Sequence, residues 1–161
     1  MSANFVGIGY DSHRLAEGRA LIIGGVHIEH DLGLVGHSDA DVLTHAIIDA
    51  LLGAGGLGDI GHHFPDTDPR YEGADSIALL ATVAGLLQQH HFEVVNVDAT
   101  VLVERPKIAP HRQAICERLA SALRMPPERV NVKASTGERI GFVGREEGVA
   151  ALAIASLLRT G

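Results

Sequence analysis

The sequence predicts an α+β fold with helices packed on one side of a mixed sheet, and three observations carry that reading. Apolar residues alternate, as in strands, over residues 5–15 and 92–104. Apolar residues recur at helical spacing within 37–54, 76–90 and from Pro110 to about Arg124. No repeat, linker or change of composition divides the 161 residues, so the chain reads as one domain, 1–161, with a full core.

Taken in order, residues 5–15 place Val6, Ile8 and Tyr10 on one face and Gly7, Gly9, Asp11 and His13 on the other. The glycines leave room for something to approach the backbone. Residues 21–28, LIIGGVHI, read as a second strand broken by a bulge or tight bend at Gly24-Gly25. The segment 37–54, HSDADVLTHAIIDALLGA, predicts the central helix, with Ser38 as N-cap and Asp41 completing a capping box. Leu43, Ile47, Ala50, Leu51 and Ala54 form its buried face, while Asp41, His45 and Asp49 stack at i, i+4, i+8. A long loop with five glycines follows, of a kind that is more often functional than not.

The helix over 76–90 buries Ile77, Leu80, Val83, Ala84 and Leu87. In the strand over 92–104, Val95, Val97, Ala99, Val101 and Val103 share one face, and Asn96, Asp98, Thr100 and Glu104 the other. Pro106-Lys107 ends it, and Pro110 suits the first turn of a third helix. Residues 130–135 form a short strand before the Gly-punctuated TGERIGFVGREEG. Residues 149–159 fit either a helix or a strand closing the sheet.

A formal charge of −7 with no basic patch argues against a nucleic-acid partner. The single cysteine, Cys116, excludes a disulfide framework and reads as inert core. The N-terminus lacks the basic and apolar regions of a secretory signal, and no stretch is long enough to span a membrane. A cytoplasmic protein is expected, or a plastid one whose transit peptide has been removed.

The residue types point to phosphate chemistry at a metal. Asp11 and His13, two apart on a strand, point to one face, and with His45 they make a ligand set suited to zinc that leaves a position open for substrate. His37 precedes the helix whose N-terminus attracts anions. Asp49 has two readings, a hydrogen-bond partner for the free nitrogen of His45 or a solvated carboxylate, and the second is favoured. Lys133, Ser135, Thr136 and Glu138 leave a strand in a pattern that suits phosphate oxygens and a hard cation such as magnesium. Arg145 reads as a phosphate clamp or as a surface ion pair. The adjacent His62 and His63, with His27, His30, His90, His91 and His111, are assigned to surface or structure.

Together these segments resemble the 2-C-methyl-D-erythritol 2,4-cyclodiphosphate synthase family over essentially the whole chain. The resemblance is carried by GYDSHRL, IIGGV, HSDADVLTHAIIDALLGAGGLGDIG, FPDTDP, GADS, NVDAT, PKIAPH, VNVKAST-E and GFVGREEG, in order and at the family's spacing. It implies a ferredoxin-like domain, a homotrimer with active sites between subunits, and a strand for residues 149–158. It also implies zinc on Asp11, His13 and His45, and Mg2+ or Mn2+ at Glu138 with the substrate diphosphate. His37 and Thr136 match catalytic positions, and His37 and Ser38 also match contacts to the methylerythritol phosphate. Asp59 would hold the cytidine ribose. Ile60, Gly61, Phe64, Pro65 and Asp66 match further substrate contacts in the long loop. The backbone of the run Val103 to Ala109, around Pro106 and Lys107, would cradle cytosine, and Lys133, Ser135, Phe142 and Arg145 complete the binding set. Where family members often read Thr-Thr-Thr-Glu, this chain has Ser135, Thr136, Gly137 and Glu138.

The implied reaction is the closure of 4-diphosphocytidyl-2-C-methyl-D-erythritol 2-phosphate to a cyclic diphosphate with release of CMP. Two rivals stand beside it: a metal-dependent phosphodiesterase in which water attacks, and a non-enzymatic trimeric nucleotide-binding module.

Overall fold

The computed structural model describes residues 3–161. Its centre is a five-stranded mixed sheet in the order β4-β1-β7-β5-β6, built from β1 (Asn4–Ala16), β4 (Gly33–Val35), β5 (Phe92–Leu102), β6 (Val130–Ser135) and β7 (Gly148–Arg159). Only β5 and β6 run parallel; β1 pairs antiparallel with β4 and β7, and β5 pairs antiparallel with β7. Residues 148–159 therefore form a strand, because alternate small residues Ala151, Ala153 and Ala155 bury under helices while Leu152 and Ile154 stand on the far face.

Helix α1 (Val42–Ala54) lies across β1 and β7 and is buried on nearly every side. Gly7 and Gly9 make this possible. A methyl group on Gly9 would stand 1.8 Å from the Ala46 carbonyl oxygen, and one on Gly7 would stand 2.1 Å from that of Ala50. The glycines expected to admit a close neighbour admit the backbone of α1. The apolar residues that alternate with them, Val6, Ile8 and Tyr10, face away from the helices and are exposed, as are Leu152 and Ile154. Helices α3 (Ser76–Gln89) and α4 (Arg112–Leu123) complete the covered side of the core.

Three expectations are corrected and one strand is added. Residues 21–28 are not one bulged strand but a hairpin, β2 (Leu21–Ile23) and β3 (Val26–Ile28), whose two-residue turn holds Gly24 and Gly25 at φ 59° and 73°. The short β4 has no sequence signal, because three residues carry no readable period. The N-cap of α1 is Asp41, which accepts from Thr44 N–H at 3.1 Å, and not Ser38, which lies before the helix. On β5 a bulge between Val94 and Asn96 leaves Val95 off the core face and puts Val94 against the core with Phe92.

Asp41 is fully buried and accepts four hydrogen bonds. Gly24 and Gly25 N–H donate at 2.8 and 2.7 Å, and Thr44 donates through N–H at 3.1 Å and hydroxyl at 2.8 Å. One carboxylate thus fastens the β2–β3 hairpin to the N-terminus of α1. Burial pushes its pKa up, while the donated hydrogen bonds pull it back. Among the described residues no helix is long and apolar enough to cross a membrane.

Candidate metal and phosphate site

The close seat of α1 on β1 brings His45 against the residues that follow Gly9. Asp11 Oδ2 lies 2.8 Å from His13 Nε2 and 3.0 Å from His45 Nδ1, and the two imidazole nitrogens are 3.2 Å apart. The three donors converge as the sequence spacing predicts, and no other metal-competent cluster of three acidic, histidine or cysteine residues occurs among the described residues.

The donor chemistry fits a metal. His13 Nδ1 donates to the Val35 carbonyl at 3.0 Å, which leaves Nε2 as the nitrogen that faces Asp11. His45 Nε2 is engaged by Ser76 Oγ at 2.8 Å and Ser38 Oγ at 3.0 Å, which turns Nδ1 toward the same point. A carboxylate and two imidazole nitrogens aimed at one spot repel one another unless a proton or a cation stands between them. Burial alone would raise the Asp11 pKa, but in the metal-free site His13 and His45, when they carry a proton toward its carboxylate, bring it down to about 2. Burial opposes the charge on His13, yet the Asp11 carboxylate raises its pKa above the usual value.

The triad opens into a cavity of about 450 Å³ lined also by His37, Ser38, Ile60, Gly61, Phe64, Pro65, Asp66, Tyr71 and Leu79. Ile60 and Gly61 belong to the short α2 (Ile60–His63), which lies inside the long loop. Asp59 does not line this cavity; its carboxylate caps α2 by accepting from His62 N–H at 2.9 Å. Asp49 makes no hydrogen bond to His45, and its half-buried carboxylate meets the loop instead. It accepts from Ile60 N–H at 3.1 Å and so anchors the start of the loop.

A second recess, of about 180 Å³, gathers Pro106, Lys107, Ala109, Ser135 and Thr136 with Val103, Glu104, Ile108 and Ala134. Glu104 was not singled out from the sequence; it accepts from Gly137 N–H at 2.9 Å and holds the turn that carries Thr136 and Glu138. Glu138 is exposed, and its carboxylate takes only a long 3.4 Å contact from the Thr136 hydroxyl, so it is free to meet a cation. Lys133 lies outside this recess, with its ammonium on Asp98. Phe142 lines a third recess beside His13, and Arg145 pairs with Glu147 at 3.0 Å on the surface.

The Asp11 triad and the Thr136 recess stand at one end of the sheet but toward opposite edges. His13 pairs with Val149, Ala150 with Leu102, and Leu102 with Ser135. Strands β7 and β5 separate β1 from β6, a spread of roughly 14 Å at the usual strand spacing.

Comparison with known proteins identifies the family. The model of the YgbB family matches residues 5–158. The chain is 55% identical over 159 residues to a 2-C-methyl-D-erythritol 2,4-cyclodiphosphate synthase of Synechococcus elongatus, covering 99% of both. Among solved structures, a bifunctional IspDF from Campylobacter jejuni superposes with a TM-score of 0.95 at 42% identity. That match covers 99% of this chain and 43% of the longer bifunctional one. The CDP complex of IspF from Plasmodium falciparum superposes with a TM-score of 0.86 at 29% identity, covering 100% of this chain and 99% of that one.

Proposed function

Since the chain belongs to the YgbB family, we propose that it closes 4-diphosphocytidyl-2-C-methyl-D-erythritol 2-phosphate into 2-C-methyl-D-erythritol 2,4-cyclodiphosphate and releases CMP. The observation that carries the reading is the convergence of Asp11, His13 and His45 at the mouth of a cavity that His37 and the 60–66 loop also line.

An oxygen of the 2-phosphate attacks the β-phosphorus, and the bond from that phosphorus to the bridging oxygen breaks, which leaves CMP. Both reacting groups belong to one molecule, so the protein's task is to fold the substrate and spread its charge. A phosphate oxygen is nucleophilic at neutral pH, and no side chain has to take a proton. His37 and Ser38 orient the methylerythritol phosphate, while Ile60, Gly61, Phe64, Pro65 and Asp66 close the pocket around it. Pro106, Lys107 and Ala109 hold cytosine, Asp59 holds the ribose, and Ser135 and Thr136 donate to phosphate oxygens. Lys133, Phe142 and Arg145 are assigned to substrate binding at the margins of this set; Lys133 must leave Asp98 to do so.

Asp11, His13 and His45 would hold zinc, which supplies Lewis-acid polarisation of a phosphoryl oxygen. Glu138 would give one oxygen to Mg2+ or Mn2+, which would supply positive charge against the substrate diphosphate.

One chain keeps the metal group and the cytidine recess at opposite edges of its sheet. A ferredoxin-like homotrimer, in which the metal edge of one copy meets the cytidine edge of the next, brings them together. The exposed apolar row of Val6, Ile8, Tyr10, Leu152 and Ile154 supports that assembly, since monomers rarely leave such a stripe in water.

The test is a phosphorus NMR time course with the cytidylated substrate, zinc and magnesium. Coupled cyclic-diphosphate signals that grow together with CMP are expected. CMP with linear phosphates only would make water the nucleophile and the protein a hydrolase.

A further inference from the structure

We infer that Ser76 and Asp39 form a hydrogen-bonded chain that sets the tautomer and orientation of His45, which makes both of them positioning residues for the metal site. The inference rests on the reading of Asp11, His13 and His45 as metal ligands.

The direction of each hydrogen bond follows from who can donate. An ionised carboxylate only accepts, and the Ser76 hydroxyl lies on Asp39 Oδ1. The single hydroxyl proton of Ser76 therefore points to Asp39. The oxygen that remains presents lone pairs to His45 Nε2, 2.8 Å away, and can take only an N–H there. A neutral imidazole with its proton on Nε2 has its lone pair on Nδ1, the nitrogen that faces Asp11 and His13.

Asp39 is itself held by donors alone. Its Oδ1 also accepts from Asp41 N–H at 3.1 Å, and its Oδ2 accepts from Ser76 N–H at 3.0 Å. An amide in its place must turn its NH2 toward one of these donors, whichever way it is flipped. Ser76 is fully buried, so bulk water cannot stand in for its hydroxyl. Ser38 Oγ also reaches His45 Nε2, at 3.0 Å, but its own proton has no acceptor to fix it, and it takes only a long 3.4 Å contact from Ala40 N–H. Ser38 can follow either tautomer; Ser76 backed by Asp39 cannot.

The experiment measures zinc affinity by competition with a chromogenic chelator, for the parent chain and for Ser76→Ala, Ser76→Thr and Asp39→Asn. The visible spectrum of the Co2+-loaded proteins and the melting of the metal-free proteins are recorded alongside. Loss of a partner that orients a metal-bound histidine costs about 10–100-fold in metal affinity, and that loss is expected for Ser76→Ala and Asp39→Asn, with an altered Co2+ spectrum. Ser76→Thr keeps the hydroxyl and is expected to bind within a few-fold of the parent. Zinc affinity for Ser76→Ala within twofold of the parent overturns the inference, as does a folded Ser76→Thr that binds no better than Ser76→Ala. Should Asp39→Asn fail to fold, the Ser76 pair decides alone. No substrate enters this measurement. A parent that binds zinc yet forms no cyclic product would overturn the proposed reaction and leave the inference standing.

Discussion

Gly9 meets the carbonyl of Ala46 so closely that no side chain fits between strand and helix. Two residues beyond Gly9 stands Asp11, and one residue before Ala46 stands His45, so this contact sets the distance across the metal triad. Gly9→Ala is expected to lift α1 from the sheet and to destabilise the fold by roughly 2–3 kcal/mol. Zinc binding should weaken in the same variant. Denaturant unfolding and chelator competition check the two effects; a variant with parental zinc affinity would separate the contact from the site.

Asp41 answers four donors from a fully buried position. Asp41→Ala leaves the N–H groups of Gly24, Gly25 and Thr44 without an acceptor, a loss of about 3 kcal/mol or more. Hydrogen exchange should show the hairpin 21–28 opening ahead of the rest. Uniform loss of protection would mean that the carboxylate does not fasten the hairpin in particular.

In metal-free protein the triad gives a pH dependence whose sign is fixed. The lowered Asp11 contributes stability above its ordinary value of 3.8, and this is lost as pH falls toward about 2. The raised His13 contributes stability in full below its ordinary value of 6.5, and this is lost as pH rises through its higher folded value. Metal-free melting temperature should therefore fall as pH rises from about 6 to about 8, while the increase produced by added zinc grows, because protons and zinc compete for the same atoms. Calorimetry with and without chelator checks both slopes. Parallel slopes would remove zinc from this site.

Ile8 and Ile154 face each other across β1 and β7 on the open side of the sheet. If the proposed trimer forms, charge placed there, as in Ile8→Asp, is expected to reduce the particle from three chains of 17.0 kDa to one without changing the far-ultraviolet circular dichroism. Light scattering after size exclusion reads the mass. A parent chain that runs as a monomer would refute the assembly directly.

Much of this was legible in the sequence because it depends on spacing. Asp11 and His13 share a face through the period of a strand, and the buried face of α1 follows from its apolar residues. What spacing could not show depends on partners far along the chain. Asp41 looked like a member of the helix because its role is set by Gly24 and Gly25, which lie 17 and 16 residues earlier. Val95 fell on the wrong face because a bulge, once inserted, reverses the alternation on one side of it. Ser76 and Asp39 carry no motif of their own; a serine that starts a helix is ordinary until the fold sets it beside His45.

In the proposed trimer the two edges of the sheet carry different halves of one reaction, and that division has a genetic consequence. In a ring of copies, a subunit lacking His45 still offers a sound cytidine edge, and one with a damaged Lys107 recess still offers a sound metal edge. Mixed rings of two dead alleles then contain a junction where both intact edges meet. Coexpressing two null variants should restore part of the activity, and two nulls from the same edge should restore none.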